Sequence, residues 1–246
     1  TIFDRHFIMN SNGYKLAFYG SVILTIAAMI VIISGLYLNA ILQKQGVLNN
    51  LLGWINSLPL LAEHKALLLL LGILPALESC TGFGISLFLS VPIFSQLFEK
   101  KKAYRLSMLG MNIMPWGTLA LATIIGASIS GYSSQQLGTI TALMSSLIFP
   151  TIGLISLYII GGKSLLLKEG ILAIILGISL SLLLYLFNKL GFVEISGIVA
   201  GILTCCIGYF LLPKLLNPQG KNYHILTTLI PYISLLLLIL LSKRSE

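Results

Sequence analysis

Charged residues are scarce in this sequence, which has Asp, Glu, Lys or Arg at only 9 % of its 246 positions. A soluble domain carries roughly 25 % charged residues, because it needs them to cover its surface. Hydrophobic residues make up 57 % of this chain, and the mean hydropathy is +1.00. Such a chain cannot shield itself from water, so the composition predicts an integral membrane protein whose main solvent is lipid.

Cysteine is rare too, and Cys80, Cys205 and Cys206 have the spacing of neither a metal site nor a disulfide framework. The sequence contains no Ser-His-Asp set, carboxylate pair or glycine-rich phosphate loop. We therefore expect no enzyme activity, no metal and no cofactor. The net charge of +8 comes mostly from basic residues in short loops beside apolar runs, where they set membrane topology rather than bind nucleic acid.

Long apolar runs are abundant, and several reach the roughly 20 residues that a helix needs to cross a membrane. These runs predict spans at 17–42, 139–160, 170–189, 193–212 and 225–242. Lipid offers no partners for unpaired backbone groups, so the predicted fold class is an all-α integral membrane protein. We expect a polytopic helical bundle with a single transmembrane domain, 1–246. The distribution of basic residues predicts that loops 99–105, 161–169 and 213–224 are cytoplasmic.

The run 66–98 is apolar for 33 residues, with Glu78 as its only charged side chain. As one helix it would be roughly 50 Å long, too long for a single crossing without severe tilt. We predict a re-entrant hairpin with limbs 66–77 and 85–98 and a tip at 78–84, which requires protein or a water-filled cavity around the tip. A single tilted crossing is the alternative, and the basic residues do not choose between the two.

The next apolar segment, 105–130, is about one span long and is interrupted at NIMPWGT, where Pro115 and Gly117 disfavour a helix. We predict a broken helix, with a kinked ordinary span as the alternative, because proline kinks are common in membrane helices. Asn112 and Thr118 flank the break and can hydrogen-bond the backbone groups that it frees. Discontinuous helices at membrane depth are the usual way in which a transporter builds its binding site.

These two interruptions supply the candidate site. Glu78 is the candidate proton-coupling residue, because a carboxylate in low dielectric is costly to ionise and intramembrane acids are functional by default. A protonated Glu78 that only bonds a neighbouring helix is the alternative. Small and hydroxyl-bearing residues at the breaks, with the N–H groups of two half-helix N-termini, are the candidate substrate-binding groups. These residues are Ser79, Thr81, Gly82, Gly84, Ser86, Asn112, Gly117 and Thr118.

At these motifs the sequence resembles the L-lactate permease family, bacterial proton-coupled carriers of lactate and glycolate. The likeness lies in Glu78-x-x-x-Gly82-Phe83-Gly84 within LESCTGFGIS, and in Asn112, Pro115 and Gly117 within NIMPWGT. The order of loops and spans downstream also looks similar, through GFVEISGIVAGILTCCIGYFLLPK, so the resemblance covers most of the chain. It adds Phe83 and Pro115 to the candidate substrate-binding residues. The resemblance implies an inverted-repeat carrier with a re-entrant hairpin and a broken helix in each half, of which this chain would be the first half.

The function we expect is secondary active transport of a small monocarboxylate of the lactate or glycolate type, coupled to protons, across the plasma (inner) membrane. The expected partners are the anion, protons, membrane lipid, and a second half or a second copy of the chain. Two halves are expected because a double-repeat carrier builds its site between them. The alternative is a non-transporting membrane subunit, or a degenerate remnant of such a carrier, that only packs against a partner.

Overall fold

The computed structural model describes residues 11–82, 85–213 and 234, and these are almost entirely helical. In chain order the helices are α1 (Ser11–Lys44), α2 (Val47–Ser57), α3 (Ala62–Leu68), α4 (Leu74–Thr81), α5 (Ile85–Leu97), α6 (Lys100–Leu109), α7 (Gly117–Ser130), α8 (Ser134–Lys189) and α9 (Val193–Leu211). A π-helical turn, Leu69–Ile73, joins α3 to α4, and a 3₁₀ turn, Met114–Trp116, precedes α7. The described part of the chain contains no strand, so the predicted all-α class is confirmed. Apart from residue 234, the predicted span 225–242 lies outside the described residues.

Four of the described helical runs are long and apolar enough to cross a membrane, or five if the bent pair α6 and α7 forms one span. Large apolar side chains cover their outer surface: Leu16 on α1 and Leu147 on α8 are each 78 % exposed, and Leu167 is 84 % exposed. Soluble monomers rarely expose so much contiguous apolar surface. The described part of the chain is therefore compatible with a helical membrane protein.

Helix α8 folds back on itself at Gly162, whose φ of +69° interrupts the helix. Its 56 residues would extend over about 84 Å if they were straight. Instead, the hydroxyl of Ser181 donates to the carbonyl of Ser145 (3.2 Å), and the side-chain amide of Gln135 donates to the carbonyl of Lys189 (2.7 Å). The two arms of α8 therefore run antiparallel, and they contain the two apolar runs predicted between residues 139 and 189.

The turn between α7 and α8 follows from its residue types. Gly131 ends α7 with a φ of +76°, a left-handed conformation that favours glycine. Ser133 begins α8 with a capping box: its hydroxyl accepts from the N–H of Gln136 (3.1 Å), whose side chain accepts from the N–H of Ser133 (3.3 Å). The first arm of α8 then runs for about 40 Å to Gly162, so the turns at Gly131 and Gly162 lie at opposite ends of the molecule.

The runs Ala62–Thr81 and Ile85–Leu97, here called the first limb and the second limb, double back on one another. In one continuous helix, residues 65 and 96 would lie about 45 Å apart. Asn56 contacts both, since its carbonyl accepts from Lys65 Nζ (2.6 Å) and its side-chain amide donates to Gln96 Oε1 (2.5 Å). The outer ends of the limbs therefore lie near each other, with the turn that joins them at their far end.

The outer ends of the limbs also meet the Gly162 turn of α8. Lys102 Nζ, early in α6, donates to the carbonyl of Ile160 (2.8 Å). His64 Nε2 lies 3.2 Å from Glu169 Oε2, and both side chains are buried. Two of the loops predicted to be cytoplasmic thus lie at the same end as the start of the first limb. We call this the basic end.

Helix α9 packs closely against the first limb through glycine residues. A Cβ atom on Gly201 would lie 2.6 Å from the backbone nitrogen of Ala76 and 2.8 Å from the carbonyl oxygen of Gly72. A Cβ atom on Gly72 would in turn lie 3.0 Å from the Cα atom of Cys205. Small residues allow helix backbones to approach in this way. The apolar part of the first limb is completely buried as a result, and its last turn lies inside the bundle.

Candidate functional site

Glu78 lies in the last turn of the first limb, and only 1 % of its surface is exposed. The backbone N–H of Ser86, in the first turn of the second limb, donates to Glu78 Oε2 at 3.1 Å. The first N–H groups of a helix have no partners within the helix, and the helix dipole favours negative charge there. The helix N-terminus that was expected to hold a substrate anion is directed at the carboxylate of Glu78 instead.

The turn between the limbs begins later than the sequence predicts. The first limb remains helical to Thr81, so Glu78 belongs to the helix and the predicted tip 78–84 starts too early. The chain leaves the helix at Gly82, which has a φ of +66° and donates its N–H to the carbonyl of Glu78 (2.7 Å). Glycine adopts this φ without steric cost, which explains why the turn occurs there. Phe83 and Gly84 lie outside the described residues.

The second interruption is a sharp break between α6 and α7. The run Lys100–Leu109 and the run Met114–Ser130 are bent by 56° relative to one another. Beyond Gly117, three successive residues other than glycine have positive φ: Thr118 (51°), Leu119 (57°) and Ala120 (60°). Left-handed backbone costs an L-residue roughly 1–2 kcal/mol. Such strain persists only where the surrounding structure enforces it, and it clusters at functional sites.

The two interruptions meet at Gly82 and Thr118. A Cβ atom on Gly82 would overlap Thr118 Oγ1 and would lie 2.9 Å from Thr118 Cβ. Gly117 approaches Glu78, because a Cβ atom on Gly117 would lie 3.8 Å from the Glu78 carbonyl oxygen. The turn between the limbs and the left-handed segment 118–120 are therefore in direct contact, and Glu78 lies beside both.

A cavity of about 510 Å³ opens at this junction. Its lining comes from the first limb, the α6–α7 break, α7 and α1, and comprises Ala28, Ile32, Glu78, Gly82, Met111, Met114, Gly117, Thr118, Leu121, Ala122 and Ile125. Small-molecule sites occupy roughly 300–1,000 Å³ and are mostly apolar with a few polar groups. This cavity fits that description, since Glu78 and Thr118 are the polar side chains in an otherwise apolar lining.

Four of the predicted site residues thus come together: Glu78, Gly82, Gly117 and Thr118. Ser79, Thr81 and Pro115 have local partners instead. The hydroxyls of Ser79 and Thr81 donate to carbonyls one turn earlier in the first limb (2.8 Å each), and the carbonyl of Pro115 accepts from the Thr123 hydroxyl (2.6 Å). Ser86 contributes its backbone N–H to the site.

Asn112 has a partner in a different segment from the one expected. Its side-chain amide donates to the carbonyl of Leu70 at 2.8 Å. In the π-helical turn, Leu74 donates to Leu69, five residues back, so the carbonyl of Leu70 would need a donor at residue 75. Pro75 has no N–H, and Asn112 supplies the missing hydrogen bond. The side chain therefore ties the α6–α7 break to the first limb.

Replacing Asn112 with Leu is expected to lower the free energy of unfolding by about 1–3 kcal/mol, because the buried carbonyl of Leu70 would lose its donor. Leucine is close to asparagine in size, so little of the effect would come from packing. Thermal unfolding in detergent, followed by circular dichroism, measures the change. Asn50→Leu, at an exposed position on α2, is the matched control. Equal melting temperatures for the two variants would contradict the role given to Asn112.

Several residues that line the cavity were not predicted from the sequence. Ala28 and Ile32 of α1 form one wall, and Met111 and Met114 lie in the α6–α7 break. A signal for the first pair was present in Gly35, one turn further along α1. A Cβ atom on Gly35 would lie 2.8 Å from the carbonyl oxygen of Thr81, so this glycine allows α1 to approach the end of the first limb. An apolar run alone does not reveal which face of its helix makes such a contact.

The three cysteines surround a different cavity. Cys80, Cys205 and Cys206 line an apolar space of about 210 Å³ between α2, the first limb and α9. Within residues 11–82 and 85–213, no three His, Cys, Asp or Glu side chains are grouped closely enough to hold a metal ion. The cavity beside Glu78, by contrast, combines a carboxylate with interrupted backbone.

Comparison of the chain with protein-family models, with curated proteins and with solved structures finds no match in any of the three. The described residues define an all-helical fold, compatible with a membrane, that holds a buried carboxylate in a cavity at two helix interruptions.

Proposed function

We propose that the chain belongs to a secondary carrier that moves a small monocarboxylate together with a proton across a membrane, with Glu78 as the proton site. One observation carries this proposal: Glu78 is 1 % exposed, lines a cavity of about 510 Å³, and accepts a hydrogen bond from the first turn of the second limb. Buried acids at membrane depth generally mark pathways for ions or substrates.

Competition for one helix N-terminus explains how the proton and the anion would be coupled. While Glu78 is ionised, its carboxylate accepts the N–H of Ser86. A substrate carboxylate that entered the cavity would meet this like charge at short range, which is unfavourable in low dielectric. A proton on Glu78 removes the negative charge and leaves the positive helix end to the substrate. Anion binding would then require protonation, and the two would cross together.

The lining of the cavity favours a small acid with a single charge. The described residues that line it include no lysine or arginine, so a second carboxylate would find no cation. Met111, Met114 and Ala28 offer apolar contact, and Thr118 offers one hydroxyl beside the interruption. A short 2-hydroxy acid carries the matching groups. The motif resemblance to L-lactate permeases points to the same class, lactate and glycolate.

The limbs and the α6–α7 break would then be the substrate-binding half of one repeat. In this proposal the two limbs form a re-entrant hairpin that enters from the basic end, which faces the cytoplasm across the plasma (inner) membrane. A second half or a second copy of the chain would complete the site, as in other inverted-repeat carriers. Protein surrounding the turn would also satisfy the backbone groups that lipid cannot.

Uptake by the full-length protein in proteoliposomes tests the proposal. With the outside made acidic, labelled lactate or glycolate should accumulate, a protonophore should abolish the accumulation, and succinate should not accumulate. Empty liposomes provide the background. Absence of gradient-driven uptake of every short monocarboxylate would overturn the carrier proposal and favour a non-transporting subunit.

A further inference from the structure

We propose that the cleft between α1 and α7 is a water-filled route by which the proton and the anion reach Glu78 from the end of the molecule opposite the basic end. This inference rests on the proposed carrier function and specifies its access pathway. It is carried by a second cavity, of about 660 Å³, which adjoins the cavity at Glu78.

The two cavities share a wall and form one continuous cleft. Ala28 of α1 and Ile125 of α7 line both of them. From these two residues the second cavity continues along α1 toward Ala17 and along α7 toward Ile129. The combined space is large compared with a water molecule, which takes up about 30 Å³ in the liquid. A file of several waters, or a three-carbon acid, fits between the helices.

Hydroxyl groups offer water polar partners in the second cavity. Three hydroxyl residues line it, Ser21, Thr25 and Ser128. Each donates its hydroxyl proton to a carbonyl of its own helix at 2.7–2.8 Å. A hydroxyl oxygen also has two lone pairs, so it still accepts a hydrogen bond from water. The small residues Gly20 and Ala28 leave room for a file of water. The rest of the lining is apolar and comprises Ala17, Leu24, Ile125 and Ile129.

The direction of the cleft follows from the ends of α7. Ser128 lies close to the end of α7 and to the Gly131 turn, which is about 40 Å from the Gly162 turn along the first arm of α8. The Gly162 turn belongs to the basic end, where Lys102 binds the carbonyl of Ile160. The cleft therefore opens at the other end, which is the outer face if the basic end is cytoplasmic.

The opposite direction is closed by the packing of the first limb. Between the basic end and Glu78, the limb presents Leu67, Leu70 and Leu74, each of which is 0 % exposed. A buried run of leucine offers water no polar partners, and water requires two to four of them. In the described part of the chain, the proton of Glu78 therefore exchanges through the α1–α7 cleft.

Cysteine labelling of the full-length protein in membranes tests the route. Thr25→Cys and Ala28→Cys would place thiols in the cleft, and each has a matched control two residues away on the lipid-facing side of α1, Ile23→Cys and Ile30→Cys. Ile23 is 68 % exposed and Ile30 is 62 % exposed, and neither lines the cleft. A charged, membrane-impermeant thiol reagent is added from the outside, and the wild-type chain with its own three cysteines gives the background.

The thiolate is the reactive form and requires water, so the two cleft cysteines should label at least tenfold faster than their controls. Saturating lactate should slow labelling of Ala28→Cys, which lies in the wall shared by both cavities. Equal, slow labelling of all four variants would overturn the route and indicate that lipid or a partner helix fills the cleft. Labelling of the cleft cysteines only from the cytoplasmic side would overturn its direction.

Labelling does not depend on transport, so the two proposals fail separately. Fast labelling at Thr25→Cys in a protein that takes up no monocarboxylate would support the hydrated cleft and overturn the carrier proposal. Gradient-driven lactate uptake with slow labelling at both positions would support the carrier proposal and overturn the proposed route. Elution of each variant at the wild-type position in size-exclusion chromatography shows that it is folded, so that slow labelling reports on access.

Discussion

Replacing Glu78 with Gln is expected to reduce proton-driven lactate uptake to the level of empty vesicles. Glutamine has nearly the same shape, and its amide oxygen can still accept the N–H of Ser86, so the hairpin turn should remain intact. What is lost is the ability to ionise. A carrier that cannot release its proton is held in the state that binds the anion, and it cannot complete a cycle of net uptake.

The same variant should retain exchange of lactate across the membrane. Glutamine imitates the protonated carboxyl group, so the anion can still bind, and a loaded carrier can shuttle substrate in both directions without a change in protonation. Entrance counterflow, with unlabelled lactate inside and labelled lactate outside, measures this exchange. A loss of net uptake with preserved counterflow would distinguish a proton site from a residue needed only for folding.

Glu99→Gln is the matched control for this experiment. Glu99 is exposed immediately before α6 and lies outside the cavity, so its replacement should leave uptake and counterflow unchanged. Wild-type rates of net uptake in Glu78→Gln would contradict the role of Glu78 as the proton site. Loss of both net uptake and counterflow, with normal folding, would make Glu78 a substrate-binding residue instead.

Replacing Gly82 with Ala is expected to reduce uptake by at least tenfold. The new Cβ would overlap the Thr118 hydroxyl and would also impose a φ of +66° on a residue that disfavours it. Overpacking typically costs about 1–3 kcal/mol, and the backbone of Gly82 (φ +66°, ψ −162°) lies in a region that costs residues other than glycine about 1–3 kcal/mol more. A tenfold decrease in uptake corresponds to about 1.4 kcal/mol. Either cost is therefore large enough if the protein avoids it by moving the two turns apart and thereby disrupts the site.

Two further variants separate the overlap from the backbone strain. Gly162→Ala imposes nearly the same backbone strain (φ +69°, ψ −156°) where a Cβ meets nothing within 4 Å, and it should lower thermal stability without reducing uptake tenfold. Gly82→Ala combined with Thr118→Gly removes the overlapping hydroxyl and relaxes the φ at residue 118, so it should recover part of the uptake. If Gly82→Ala behaves like Gly162→Ala, the contact between the two turns is not important for transport.

The helical fold was predictable because its signals are local. The scarcity of charge and the length of the apolar runs predict helices, and α1, α8 and α9 lie where such runs occur. The arithmetic of the run 66–98 likewise predicted a chain that turns back. The start of the turn was less predictable. Serine and threonine are common in turns, but here the hydroxyls of Ser79 and Thr81 donate to carbonyls of the preceding helical turn, and both residues stay helical.

The cavity was harder to predict, because it depends on contacts between segments far apart in sequence. Asn112 was expected to hydrogen-bond backbone groups at the α6–α7 break. Instead its side-chain amide donates to the carbonyl of Leu70 in the first limb, which lacks a donor because of Pro75. The approach of α1 depends on Gly35, one small residue in a long apolar helix. Which faces of two helices meet is decided by packing between them, and hydropathy contains little information about that rotation.

The glycine contacts between α9 and the first limb constrain how such a carrier can move. Gly201 rests on the backbone of Gly72 and Ala76, which leaves no layer of flexible side chains that could slide or rearrange. These two helices therefore shift only as one rigid body. In such a carrier, exposing Glu78 alternately to the two sides of the membrane requires hinges elsewhere. Gly82 and Thr118, which both have positive φ, lie at the boundary where the remaining helices would rotate against this fixed pair.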